Sequence, residues 1–228
     1  DLANMETARA DAEALPFEDA RFDLVTCRIA AHHFPDVPTF IAEVWRTLKS
    51  GGTFALVDNI APDGESTPGF SYAELRDAAL TYNAFEKIRD PSHARCLGMA
   101  EWSEVLADTG FEILHKERLP KDMEFQPWAE RLSSDAATIP RLRSMLTDGS
   151  PALQAFLKPR LDGDKLWFTL DEAILIARKP ELTQVRHIHT VAHCPPISDG
   201  AALLILGNEE AGRRHGLQRP AGRRRRGL

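Results

Sequence analysis

Several polar residues between positions 11 and 58 stand where apolar runs stop: Asp11, Cys27 with Arg28, His32 with His33, and Asp58. Farther along, Asp90 and His93 bracket Pro91-Ser92 in a break between two helical stretches. Such side chains can hydrogen-bond a small ligand, and histidine can carry a proton near neutrality. Asp11, Cys27-Arg28 and Asp58 each close a segment that reads as a strand. In an open α/β sheet the ligand crevice lies outside the carboxyl ends of the strands, so these endings mark one candidate site. No acid/base pair is evident from spacing alone. His32 and His33 are neighbours, so on a helix or strand they point in different directions and cannot readily chelate one ion. One of them could face a ligand above the strand ends, with packing or capping an equal alternative.

The elements that must hold these residues follow from periodicity. Met5–Ala10 reads as a short strand ending at Asp11, and Phe22–Cys27 as a mostly buried strand. A helix is predicted from near Asp36, with Pro38 in its first turn and Phe40, Ile41, Val44, Trp45 and Leu48 on one stripe. Gly51-Gly52 is expected to stop it, and Thr53–Val57 to form a central parallel strand. A Pro-, Gly- and Ser-rich loop occupies 62–72. Helices are predicted over Tyr72–Arg89, Ala100–Thr109 and about 126–158, a strand over Phe111–Leu119, and a closing β segment in two pieces, 165–169 and 173–178. Trp102, Trp128 and Trp167 read as core. Tyr72, Tyr82 and Phe85 fit either a cavity wall or plain helical spacing.

A chain of 228 residues suffices for one core and a small appendage, and 43% apolar with 27% charged content is ordinary for a globular protein. The net charge of -6 is uneven. From 181 on, eight Arg face four acids, so the body before it is acidic and an unlikely surface for nucleic acid. Cys27, Cys96 and Cys194 are scattered and in no CxxC pair, which points to a reducing compartment. No 18-residue apolar run occurs. The expected location is the cytoplasm, with no membrane and no nucleic-acid partner and no metal.

Taken in order, DAEALPFEDARFDLVTC at 11–27, the HHF step at 32–34, LKSGGTFALVD at 48–58, EWSEVLADTGFEILH at 101–115 and ILIARKP at 174–180 resemble a class I S-adenosylmethionine-dependent methyltransferase of the ubiquinone and menaquinone methyltransferase branch. The resemblance implies an α/β fold with helices on both faces of a Rossmann-like sheet, S-adenosylmethionine as cofactor and a small-molecule methyl acceptor. It implies that Asp11 accepts from the adenine amino group, that the Ala12 backbone N–H serves a ring nitrogen, and that the Cys27-Arg28 turn touches the methionine part. Read without it, Asp11 is a loop acid or cap. Asp90 and His93 fall in the region that forms a substrate lid in the family, although Asp90-Pro91-Ser92 also reads as a plain turn; with His32 and His33 above the strand ends they are the candidate acceptor residues.

The sequence departs from the family in one respect. No G-x-G pattern occurs in 1–180, and the ten residues before Asp11 leave no room for the family's first two strands. A partial sheet lacking those strands is therefore expected, with Phe22–Cys27 as an open edge through which the chain could self-associate, and with impaired cofactor binding. A boundary near 180 divides a methyltransferase-like part, 1–180, from an irregular tail, 181–228. Within the tail, Pro196–Leu204, Glu209-Glu210-Ala211 and His215-Gly216-Leu217 resemble a short piece of a thiolase. A thiolase relative, or a non-catalytic fragment pairing with another protein, are the competing readings. His187, His189, His193 and Cys194 match no standard zinc spacing.

Overall fold

The protein is described from a computed structural model covering residues 7–132 and 137–181. The tail features named above lie outside the described residues. Among those described, five strands form one sheet. β1 (Phe22–Arg28) pairs in parallel with β2 (Leu48–Asn59), β2 antiparallel with β5 (Lys165–Arg178), and β5 antiparallel with β3 (Glu112–Glu124) and with the short β4 (Arg160–Asp162). The expected central strand is thus parallel on one side only. β1 pairs with no second strand among the described residues.

Two groups of helices cover the sheet. α1 (Val37–Thr47) and α3 (Met99–Thr109) pack together on β2 and β3, where Phe54 meets Phe40 and Phe111. α2 (Tyr72–Arg89), α4 (Phe125–Glu130), α5 (Thr138–Thr147) and α6 (Pro151–Leu157) gather on β5, where Phe168 meets Trp128 and Phe85. Phe54 pairs with Ala177, and Phe168 lies an odd number of residues from Ala177. Side chains alternate along a strand, so the two groups lie on opposite faces.

Local chemistry explains the ends of the helices. Asp36 caps α1 by accepting from the Thr39 amide at 3.1 Å, with Pro38 in the first turn. Ser71 and Glu74 form a capping box on α2. Asp63 caps α3 from outside it, accepting from the Ala100 amide at 2.7 Å, and Gly110 ends it at φ 102°. α1 stops at Thr47, before Gly51-Gly52, because buried Leu48 is already extended and begins β2. Lys179 Nζ caps the exposed end, donating to the Trp45 and Leu48 carbonyls at 2.7 and 2.8 Å. The glycines instead sit inside β2. A Cβ on Gly52 would lie 3.3 Å from the Asp23 carbonyl of β1.

Other expectations are corrected. Thr7–Ala10 form no strand; they are exposed and pair with nothing described, and an extended segment without a hydrogen-bonded neighbour is not held as one. Asp11 makes only an isolated bridge to Ala14. The two closing β pieces are one strand, because Leu170-Asp171-Glu172 stay extended against Lys121-Pro120-Leu119 of β3. β3 correspondingly runs on past Leu119 to Glu124. The long helical region at 126–158 is three short helices. Ser150 starts the last of them as an N-cap to Leu153, followed by Pro151.

The loop carrying Asp11 is clamped to α1 by Arg46 and Glu43. Arg46 donates to the Leu15 and Phe17 carbonyls and to Asp19 and Glu43, while Glu43 also accepts from the Leu15 amide. Charge-assisted bonds to backbone are stronger than neutral ones, although the guanidinium is about a third exposed. Arg46→Met is expected to lower stability by about 1–2 kcal/mol and to speed amide exchange at Ala14–Ala20. Denaturant titration and hydrogen exchange check this; unchanged exchange there would refute the clamp.

Candidate active site

β1 ends at Arg28 and the chain then turns sharply. The Ile29 amide donates to the Val57 carbonyl at 2.7 Å, and Ile29 adopts φ 48°, a left-handed conformation that is costly for a β-branched residue. Such strain persists where surrounding structure over-determines it, often beside a functional site. The turn leads into a short 3-10 helix, Ala31–His33, which delivers both histidines.

His32 meets the end of β2. Asp58 is fully buried, and its carboxylate accepts from the His32 amide at 2.8 Å, the Asn59 amide at 2.9 Å and His32 Nδ1 at 2.5 Å. With Nδ1 donating, Nε2 is left as the basic nitrogen. The His32 carbonyl in turn accepts from the Ala94 and Arg95 amides, binding the α2–α3 loop to the same point. The acid/base pair that spacing did not reveal is therefore present, formed by residues 26 apart in sequence.

Three imidazoles stand in a row. The His32 ring lies 4.2 Å from that of His33 and 5.6 Å from that of His93. The adjacent histidines thus lie against each other instead of diverging. His33 Nδ1 is 3.2 Å from Ser92 Oγ, and Asp90 accepts from the Ser92 amide at 2.9 Å and hydroxyl at 2.5 Å. Burial alone would raise the Asp90 carboxyl, but the Ser92 hydrogen bonds and the nearby His33 and Arg89 hold it below its ordinary value. His93 is buried and shares a 2.9 Å hydrogen bond with Asn83 Oδ1. Burial, with His32 and His33 beside it, lowers its pKa to about 4.

The residues expected at the site thus fall into two sets. His32, His33, Asp90 and His93 converge with Asp58 in one cluster. Asp11, Ala12, Cys27 and Arg28 do not join it through any described hydrogen bond. Asp11 is exposed and accepts from the Glu13 amide at 3.0 Å; Ala12 is half-buried against the core. Glu13 accepts from the Asp36 amide at 2.7 Å, which ties that loop to the start of α1. Cys27 is buried, and burial with the Asp58 field pushes its thiol up to about 11, so it is a neutral thiol. Arg28 is exposed. Sequence reasoning missed Asn83 and Glu86. Glu86 is buried one turn beyond Tyr82, and an acid on the apolar stripe of α2 was the available signal. A cavity of about 370 Å³ opens between α2, the loop after β2 and the start of α3, reached by Ala61, Asn83 and Cys96.

Comparison with known proteins identifies the family. Residues 1–56 match the model of the methyltransferase domain. The uncharacterized protein YafE of Escherichia coli K12 is 31% identical over 180 residues, covering 78% of this chain and 79% of its own. A candidate methyltransferase of Bacillus halodurans C-125, known from its crystal structure, is 33% identical with a TM-score of 0.66 over 77% of this chain and 78% of that one. The chain belongs to the class I methyltransferase family. The uncharacterized methyltransferase YcgJ of Bacillus subtilis is 35% identical over 132 residues, which span 57% of this chain and 47% of YcgJ, so the chain spans about half of that relative.

The depressed basicity of His93 has a sign. As pH falls, the unfolded chain takes up this proton near the ordinary histidine value while the folded chain resists until about 4. Stability is therefore expected to fall with pH through the window from about 6.5 to about 4. His93→Gln, which keeps a donor for Asn83, should flatten that slope in denaturant titrations; an unaltered slope would show the proton goes elsewhere.

Proposed function

We propose that this methyltransferase carries out S-adenosylmethionine-dependent methyl transfer to a small-molecule acceptor, with His32 as general base and Asp58 as its orienting partner. The observation that supports it most is the buried His32–Asp58 pair, placed where the parallel strands β1 and β2 end. Ligands of open α/β sheets bind at such strand ends.

Bound S-adenosylmethionine supplies an activated methyl group, and the protein's task is to align and to exclude water. If bound, the cofactor would be held by the exposed Asp11 carboxylate at its amino group, by the Ala12 N–H at a ring nitrogen, and by the Cys27-Arg28 turn at its methionine part. A neutral hydroxyl or amine acceptor becomes a better nucleophile if its proton leaves as the bond forms. His32 Nε2 takes that proton. Asp58 holds the ring in the tautomer that exposes Nε2 and neutralises the resulting imidazolium. His33, Asp90 and His93 line the acceptor side, with Ser92 bridging His33 and Asp90.

The absence of a G-x-G turn in 1–180 supports weak cofactor binding by this chain taken alone. Calorimetry is expected to show S-adenosylmethionine binding weaker than about micromolar; submicromolar binding would overturn this part. At saturating cofactor, Asp58→Asn should leave cofactor affinity unchanged while lowering the transfer rate about 10²–10⁴-fold. A rate within about twofold of the unmodified chain would remove His32 from the role of base.

A further inference from the structure

The cavity of about 370 Å³ between α2 and α3 lies outside the histidine cluster, for none of His32, His33, Asp90 and His93 lines it. One wall is a stripe of α2. Tyr72, Arg76, Leu80 and Asn83 recur at three- or four-residue spacing, so they share one side of the helix. The side that packs in the core is another, carrying Leu75, Ala78, Tyr82 and Phe85. Tyr72 is 81% and Leu80 63% exposed, so an aromatic and an aliphatic group stand at the rim with Arg76 between them in the stripe. The first turns of α3, with Glu104, form the opposite wall, and buried Ala61 and Cys96 form the floor.

Most of the charge around this space is already answered within the fold. Asp63 accepts from the Glu65, Ser66 and Ala100 amides at 3.1, 2.7 and 2.7 Å. Arg95 pairs with Glu101 at 2.7 Å. Arg76 and Glu104 are different: among the described residues neither has a hydrogen-bond or ion-pair partner, and they are not paired with each other. A single unpaired charge at a surface is ordinary, since water solvates it. Here an unpaired cation and an unpaired anion stand on two walls of one concavity, beside an exposed aromatic ring.

We propose that this cavity binds a small zwitterion with an apolar side group, of which an α-amino acid is the simplest case. Its carboxylate meets the Arg76 guanidinium, whose fork takes both oxygens. Its ammonium donates to Glu104, and its side group lies against Tyr72 and Leu80. A ligand with one charge satisfies one wall and is opposed by the other, so the site selects for both charges together. The volume lies in the range of small-molecule sites. This binding is independent of methyl transfer, yet it touches the same segment. Asn83 Oδ1 accepts from the Cys96 amide at 2.6 Å and shares the bond with His93, while the His32 carbonyl holds the Ala94 and Arg95 amides. An occupant resting on Asn83 and Cys96 therefore braces the segment that His32 seats.

The test uses L-phenylalanine, 3-phenylpropanoate and 2-phenylethylamine, which share a phenyl group and carry both charges, the anion alone and the cation alone. Calorimetry on the full chain is expected to show phenylalanine binding at about millimolar or tighter, and at least about fivefold tighter than either analogue. Arg76→Gln should remove its advantage over 2-phenylethylamine, and Glu104→Gln its advantage over 3-phenylpropanoate. Both positions are exposed, so the variants should keep the melting temperature of the unmodified chain. Bound phenylalanine should also slow amide exchange at Ala94–Cys96. Equal binding of the three probes, no binding of phenylalanine at about 10 mM, or advantages that survive in the variants would each overturn the proposal. Exchange left unaltered at Ala94–Cys96 would place the ligand outside this cavity and overturn it as well.

Discussion

A carboxylate buried at the end of β2 is the constraint on which this arrangement depends. Moving an ion such as Asp58 out of water is costly unless donors replace the lost hydration. Here the replacement comes from three directions: its own strand through Asn59, the turn after β1 through the His32 amide, and the His32 ring. Satisfying one side chain therefore fixes the height at which the β1 turn crosses the end of β2. His32 then passes the constraint on, because its carbonyl holds the Ala94 and Arg95 amides and so seats the α2–α3 loop. The strained Ile29 is intelligible in that light. Its left-handed φ lets the chain leave β1 and still bring the His32 amide onto Asp58.

The aromatic packing supplies the opposing force that keeps α2 where its polar residues matter. Phe85 stacks on Trp128 and meets Phe168 edge-on, while Tyr82 meets Phe156. Aromatic pairs contribute beyond the area they bury, and these join α2 to α4, α6 and β5. Residues 82, 85 and 86 share one face of a helix, so seating Phe85 buries Glu86 as well. The fold thus tolerates a buried acid on α2 because neighbouring rings hold the helix down. Packing and polar function are here set by the same register.

Much of the fold was legible because it rests on local rules. The start of α1 near Asp36 with Pro38, its apolar stripe, and the spans of α2 from Tyr72 and α3 to Thr109 are set by neighbours a few residues away. The errors share a cause too. Gly51-Gly52 looked like a helix stop, but the positive φ at Gly51 and the crowding of Gly52 by the Lys49 and Asp23 carbonyls decided their use. Leu170-Asp171-Glu172 looked like a break, but pairing with β3 keeps them extended. The candidate site was half legible for the same reason. Its histidines and Asp90 stood out by type, and Asp58 by position, whereas the bond joining His32 to Asp58 spans 26 residues and is a product of topology.

The row of three imidazoles shows why such a cluster must differentiate its members. A base flanked by two cations could not hold a proton, since like charges at ring-contact distance oppose one another. Burial keeps His93 neutral down to about 4, and its hydrogen bond to Asn83 fixes it without a charge. His33 is tied instead to Ser92, whose hydroxyl leans on Asp90. Of the three rings, His32 alone has a carboxylate bonded directly to its Nδ1. Asn83, which touches no strand end, therefore acts on the same chemistry as Asp58: by holding His93 without a charge it lowers the competition that ring would offer to His32.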